Sequence, residues 1–262
     1  LTQESYQVTF EQDGRRFQAT GPDSKGIWIA TKDILLNRSY EYLPAFELQN
    51  HTGFVVDAGA HVGVFSILAS KFATKVLSIE PDPSNGKFLT QNLEQNDIRN
   101  VVFDKRALWH GNDKIKLFAT GSSVNPSALI PRGESHEVDT VSLTELLERY
   151  GQIDLLKMNV EGAEYRIIEN ASPETLNGID HIVAELHLLL GNPEPVLNKL
   201  KSAGFKIEWF YQPLYRARFQ HEIRVRGARR LKTWRGMVYT TARLLRLKER
   251  RLCYLFAYRE NS

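Results

Sequence analysis

Residues 54–80 read FVVDAGAHVGVFSILASKFATKVLSIE. An apolar run at 54–56 ends in Asp57, a turn of small residues with Gly59 and Gly63 follows, and a second apolar run at 76–79 ends in Glu80. Short unbroken apolar runs are the signature of buried parallel strands. The intervening residues, from about 62, predict an amphipathic helix, so the stretch reads as strand, glycine turn, helix and strand. Glycine lacks a Cβ, which lets Gly59 and Gly63 turn sharply and bring backbone close to a ligand. The helix start directs unsatisfied N–H groups back at that turn, where they favour an anionic group.

Three chemical demands follow for a ligand: a cation for Asp57, an anion for the helix start, and hydroxyls for Glu80. An acid about 20 residues beyond a glycine turn is placed to accept hydrogen bonds from a ribose. S-adenosylmethionine, a nucleoside with an amino-acid tail, meets all three. Each charge-assisted bond contributes about 1.5–3 kcal/mol. A nicotinamide dinucleotide fits less well, since its motif is Gly-x-Gly-x-x-Gly. Here Gly59-Ala60-His61-Val62-Gly63 follows an acid that would repel a pyrophosphate. A plain strand–helix turn without a ligand could contain any one of these residues; their ordered combination favours the sulfonium cofactor.

The 262 residues suffice for one α/β domain with additions, or for two small domains. Cys253, the single cysteine, excludes an internal disulfide and points to a reducing compartment, the cytoplasm. Asp57, His61, Glu185 and His187 interrupt the best apolar stretches, so no transmembrane segment is expected, and Leu1 opens no basic-then-apolar leader. The net charge of +3 conceals an asymmetry. Residues 213–251 hold 13 Lys and Arg against Glu222 and Glu249, leaving 21 basic and 29 acidic residues elsewhere.

Outward from the opening motif, Val8, Phe10, Phe17 and Ala19 flank Asp13-Gly14 and predict a hairpin over 6–19. Residues 26–30 predict a strand and 38–49 a short helix; 1–52 together form an N-terminal cap on a catalytic domain at 53–262. Helices are expected at 84–96, with Ser84 as N-cap, at 143–150, with a Ser142/Glu145 capping box, at 162–170 and at 194–203. Strands are expected at 101–104, 115–118, 153–158, 182–186, 205–210 and 252–258, and a loop at 119–137. This alternation predicts an α/β, Rossmann-like, mostly parallel sheet with helices on both faces.

With the elements placed, three stretches carry a resemblance: VVDAGAHVGVFSILAS at 55–70, SIEPDPSNGKFLTQNL at 78–93 and IDLLKMNVEGAEYRIIENA at 153–171. The chain resembles the FkbM family of S-adenosylmethionine-dependent methyltransferases over about 40–212, with 252–258 matching the final strand. The third stretch is the most specific, although Asn159 stands where the family usually has Asp. The resemblance implies a seven-stranded class I methyltransferase sheet whose last strand is antiparallel and lies between the fifth and sixth. It also implies O-methylation of sugars or other secondary metabolites. Carried over by motif, Asp57, Gly59, Gly63 and Glu80 bind the cofactor, and Asp104 and Ala107 contact its adenine.

Ligands in open α/β sheets sit beyond the carboxyl ends of the strands. Asn159, Glu161, Glu185 and His187 fall there, at the ends of the fourth and fifth strands. Methyl transfer to a hydroxyl benefits from a base. His187, whose ordinary pKa is near neutral, is the first choice, with Glu161 placed to bind substrate hydroxyls or cofactor. Helix capping for Asn159 or Glu161, and a backbone contact for His187, are the structural alternatives. Asn159, Glu185 and His187 could together hold a divalent cation, but two of the three are not carboxylates, and no metal is assigned. Ser122, Ser123, Asn125 and Ser127 are candidate acceptor-pocket residues, and Tyr40 and Tyr42 either cover the cofactor or belong to the core.

The basic run includes Arg216, Arg224, Arg229 and Arg230, interleaved at helical spacing with Leu231, Trp234 and Val238. It predicts an amphipathic helix suited to an anionic membrane surface or to nucleic acid, against the alternative of a solvated helical hairpin. Three functions therefore compete: an O-methyltransferase for a sugar-containing or other small hydroxylated acceptor, an RNA methyltransferase favouring ribose, and a non-catalytic cofactor-binding scaffold.

Overall fold

The computed structural model describes residues 5–12, 14–118, 128–129, 131, 133–211 and 252–259. Strands β1 (Tyr6–Gln12) and β2 (Arg15–Gly21) pair antiparallel, with Val8 opposite Ala19 and Phe10 opposite Phe17. These four alternating residues are buried, as the pattern predicts. Residues 26–30 are not a strand. They lie in α1 (Ser24–Ala30), where Asp23 accepts from the Gly26 N–H at 2.6 Å, a side-chain cap that overrides the β-branched composition. The helix continues as a π-helical turn, Thr31–Leu36. The helix expected at 38–49 is broken into three 3-10 turns, Ser39–Glu41, Pro44–Phe46 and Leu48–Asn50. Pro44 has no N–H with which to continue a helix from the preceding turn.

The central motif forms as expected: β3 (Phe54–Ala58), α2 (Val64–Ala69) and β4 (Lys75–Ile79). Helix α3 (Pro83–Gln95) is capped by Asp82, not Ser84, because Pro83 fits the first helical position and Asp82 accepts from the Asn85 N–H at 2.9 Å. Strand β5 (Val101–Asp104) precedes a small sheet of β6 (Ala107–Leu108), β7 (Lys114–Phe118) and β8 (Ser135–Val141), in which β8 lies between the other two. Strand β8 was not legible, and its first residues fall in the expected loop. Ser142 caps α4 (Leu143–Tyr150), but the Glu145 carboxylate turns to Arg106 at 2.7 Å, leaving half of the capping box.

The remaining elements are β9 (Ile153–Met158), α5 (Glu164–Asn170), α6 (Pro173–Asn177), β10 (Ile179–His187), α7 (Pro193–Ser202), β11 (Lys206–Tyr211) and β12 (Leu252–Tyr258). The main sheet runs β11-β12-β10-β9-β3-β4-β5, and β12 is antiparallel to both neighbours. This is the seven-stranded, mostly parallel sheet that the resemblance implied. One face carries the apolar side chains of α4, α5, α6 and α7. The other carries α2 and α3 together with the N-terminal hairpin, α1 and the 3-10 turns, all in one continuous core. The side chains of 122–127 and the basic segment 213–251 lie outside the described residues. Among the described residues no helix is long and apolar enough to cross a membrane.

A polar row crosses the middle of the sheet. Register places Ser78, Asp57 and Lys157 side by side on β4, β3 and β9. Asp57 and Lys157 are 0% and 3% exposed, and Lys157 Nζ donates to Asp57 Oδ1 at 2.8 Å. Ser66, from α2, donates to Asp57 Oδ2 at 2.6 Å and meets Ser78 Oγ at 2.6 Å. Removing one partner of such a pair leaves a buried charge, which costs about 3–5 kcal/mol. Asp57→Leu and Lys157→Met are therefore each expected to lower the unfolding free energy by about that amount. In denaturant titrations the double variant should lose clearly less than the sum; additive losses would show that the two charges do not depend on each other.

Candidate active site

A cavity of about 610 Å³ opens at the carboxyl ends of β3, β4, β9 and β10, within the size range of small-ligand sites. Gly59, Glu80, Ala107, Asn159, Glu161, Glu185 and His187 line it. Asp57, Gly63 and Asp104 do not line it, and each is held by neighbours of its own.

Asp57 lies beneath the cavity, where Lys157 and Ser66 each donate to one of its carboxylate oxygens. Its effect is transmitted through Lys157, which also donates to the Gly59 carbonyl at 2.8 Å and reaches the cavity wall. Gly63 has φ of 84° at the N-cap of α2, where an added Cβ would come 3.2 Å from Leu89 Cγ; its role is helix entry. Asp104 is held by Arg106, whose Nε and Nη2 donate to it at 3.0 and 2.7 Å. Burial would raise its pKa, but Arg106 outweighs burial and lowers it.

Gly59 faces the cavity for a reason beyond ligand approach. Its φ is 71°, and a Cβ there would lie 1.8 Å from the Asn159 carbonyl oxygen. The turn after β3 thus packs backbone to backbone against the turn after β9. Glu80 is 4% exposed, and it accepts from the backbone N–H groups of His61 at 2.8 Å and Asp82 at 3.1 Å, and from Asn85 Nδ2 at 3.3 Å. Burial raises its pKa to about 7 against those three hydrogen bonds.

On the opposite wall, Glu185 is 7% exposed. Its Oε2 accepts from the Tyr40 hydroxyl at 3.1 Å and from Asn159 Nδ2 at 3.2 Å. Burial, then the negative charges of Asp33 and Glu161, raise its pKa to about 7, although His187 opposes them. Glu185 must face a donor, which fixes the amide orientation of Asn159. Asn159 Oδ1 is then buried with no hydrogen-bond partner among the described residues.

The neighbours of His187, the expected base, favour its protonated form. Its Nε2 lies 3.2 Å from Glu161 Oε2 and its Nδ1 lies 3.4 Å from Glu164 Oε1. Burial alone would lower its pKa, but the two carboxylates outweigh burial and raise it to about 11. This raised pKa favours the imidazolium at neutral pH, a form with no lone pair to offer. Glu164, fully buried, also accepts from the N–H groups of Val160 and Gly162, each at 2.8 Å. The run Val160-Glu161-Gly162-Ala163-Glu164 therefore folds back on itself. Its second acid clamps the turn while its first, with φ of 54°, faces the cavity.

Lys157 and Glu164 were not singled out from sequence. The signal for Lys157 was present, since a lysine inside an apolar strand must be paired when buried. Glu164 carried no such signal, because an acid in the first turn of a helix is ordinary.

Residues 57–207 match the model of the methyltransferase FkbM domain. "Methyltransferase 1" of Beauveria bassiana (strain ARSEF 2860) is 25% identical over 203 residues, covering 67% of this chain and 80% of that protein. "Methyltransferase sdnD" of Sordaria araneosa is 26% identical over 191 residues, covering 59% and 74%. Among solved structures, an FkbM methyltransferase of Methylobacillus flagellatus KT aligns with 62% of this chain and 40% of its own, at 15% identity and a TM-score of 0.41.

The clamp makes a spectroscopic prediction. His187 ring resonances should not titrate between pH 5 and 9, because the folded pKa is raised to about 11. A midpoint near the ordinary value of about 6.5 would show that the carboxylates do not hold the charge.

Proposed function

The chain belongs to the FkbM methyltransferase family, and from that premise we propose that it methylates a hydroxyl of a sugar-containing or other small acceptor, with S-adenosylmethionine as donor and Glu185 as base. The observation that carries this reading is the Glu185 carboxylate on the cavity wall, buried and with a pKa of about 7.

The residues present suit the donor. Glu80 offers a buried carboxylate at the cavity wall for ribose hydroxyls. Asn159 Oδ1 is a buried acceptor awaiting an N–H donor, and it replaces Asp57 as the group suited to the amino group. S-adenosylmethionine, when bound, supplies a methyl group on a sulfonium, with an uncharged thioether as leaving group. The chain's task is then to orient an acceptor oxygen, exclude water and take up one proton. Orientation is worth up to about 7–11 kcal/mol.

Glu185 takes the proton. Its ordinary solution pKa would make it a weak base, and burial brings it close to working pH, where general-base catalysis is most effective. The Tyr40 hydroxyl and Asn159 Nδ2 fix the oxygen that they share. His187 stays protonated and its one positive charge is shared between Glu161 and Glu164. Glu161, beside it on the wall, is available to accept hydrogen bonds from further hydroxyls of a polyhydroxylated acceptor.

Methyl-labelled S-adenosylmethionine offered with glycosides and with simple alcohols tests the reading, and a label found on nitrogen or carbon would refute it. Because the base must be ionised, log kcat should rise with pH to about 7 and level above it. Glu185→Gln should lower kcat by about 10²–10⁴-fold and abolish that limb. Persistence of the limb in this variant would place the base elsewhere. Glu80→Gln should instead weaken donor binding by about 10–100-fold.

A further inference from the structure

At the opposite end of the sheet from the cavity, three segments bring His51, Asp154 and His181 together. His51 precedes β3, Asp154 stands second in β9 and His181 third in β10. One potential ligand atom from each lies within 4.8 Å of the others. His51 is 1% exposed and His181 is 7% exposed. We propose that these residues form a site for a divalent transition metal of the zinc type, which ties the N-terminal segment to the edge of the sheet.

One observation argues for a ligand here rather than a self-contained hydrogen-bond cluster. His181 Nδ1 is buried and has no hydrogen-bond partner among the described residues. A buried imidazole nitrogen without a partner is costly unless something occupies it. The other two side chains are also oriented in the way that ligands usually are. His51 Nε2 lies 3.0 Å from the Ala45 carbonyl, which directs Nδ1 at Asp154 Oδ1, 2.7 Å away. A ligating histidine typically gives its second ring N–H to a carbonyl in this manner. Asp154 Oδ2 accepts from the Gly53 N–H at 2.9 Å, so Oδ1 and His51 Nδ1, 2.7 Å apart, are the pair that a metal would enter between by displacing their shared proton.

The chemistry selects the ion. Two imidazole nitrogens and one carboxylate oxygen suit zinc, which takes such donors at about 2.0–2.2 Å, better than calcium or magnesium, which prefer oxygen alone. Ligand atoms on a tetrahedral zinc lie about 3.3 Å apart, so small side-chain rotations close the set. The Asp154 side chain is 23% exposed, which gives a path from solvent and room for water as fourth ligand. Any proton held on His51 Nδ1 between the two side chains leaves to solvent on binding.

The test uses the full chain without an affinity tag, with zinc chloride alone as the probe. At about 100 times its dissociation constant, zinc should raise the melting temperature by about 5–10 °C. His181→Phe keeps an aromatic ring beside Phe46 and removes both nitrogens; it should lose the shift. No shift in the wild-type chain, or an equal shift in the variant, overturns the proposal. Should the variant fail to fold, cobalt(II) added to the wild-type chain decides. Visible ligand-field bands that zinc displaces and that Asp154→Asn weakens support the site, and their absence refutes it.

Discussion

A lysine ammonium and an aspartate carboxylate, 2.8 Å apart and nearly without access to water, hold the centre of this molecule. A charge in that position would be prohibitive alone. Paired, and tied through Ser66 to α2, the two charges fix the relative register of the strands that carry the two halves of the cavity. Lys157 then extends the constraint upward by donating to the Gly59 carbonyl, so the turn that faces the cavity is anchored by the charge beneath it. It also reaches sideways: its ammonium lies 5.3 Å from the ring centroid of Tyr40, the residue whose hydroxyl donates to Glu185. The floor of the cavity and the orientation of Glu185 thus share one buried cation.

The second organising element is the crowd of acids at the ends of β9 and β10. Glu161, Glu164 and Glu185 converge on a single histidine. Two of the acids share the single positive charge of His187, and the third is left to adjust its own proton affinity. This division explains how one wall carries both a permanently charged ion cluster and a carboxylate that exchanges protons near neutral pH. The roles follow from neighbours: imidazole is the better base in water, and carboxylate the better one here.

The frame of the fold was legible because it rests on local pattern. The strand–turn–helix–strand motif, the strands at 101–104, 153–158 and 252–258 and the hairpin all follow from apolar periodicity and turn residues. Where tertiary contacts or capping compete with pattern, the reading failed, as at α1 and at the broken turns around Pro44. Most of the candidate site residues meet at one cavity, but the contacts that surround them were not legible. Asp57 points below the cavity because strand alternation puts it on the face of Val55 and Leu155, and its partner Lys157 comes from 100 residues away. His187 changes character through Glu164, whose approach depends on how the Glu161-Gly162 turn closes. No spacing rule reports such proximity.

The absent side chain at Gly59 has a wider meaning. Because its backbone rests on the Asn159 carbonyl, the two halves of the cavity share one seam and cannot be displaced independently. A change of acceptor preference that moved either turn would disturb the other half as well. Diversification is thereby channelled to the periphery, into the walls formed by β6, β7 and the segment from Ile29 to Ile34, which touch the cavity without touching the seam. The centre can stay fixed while the rim is rewritten.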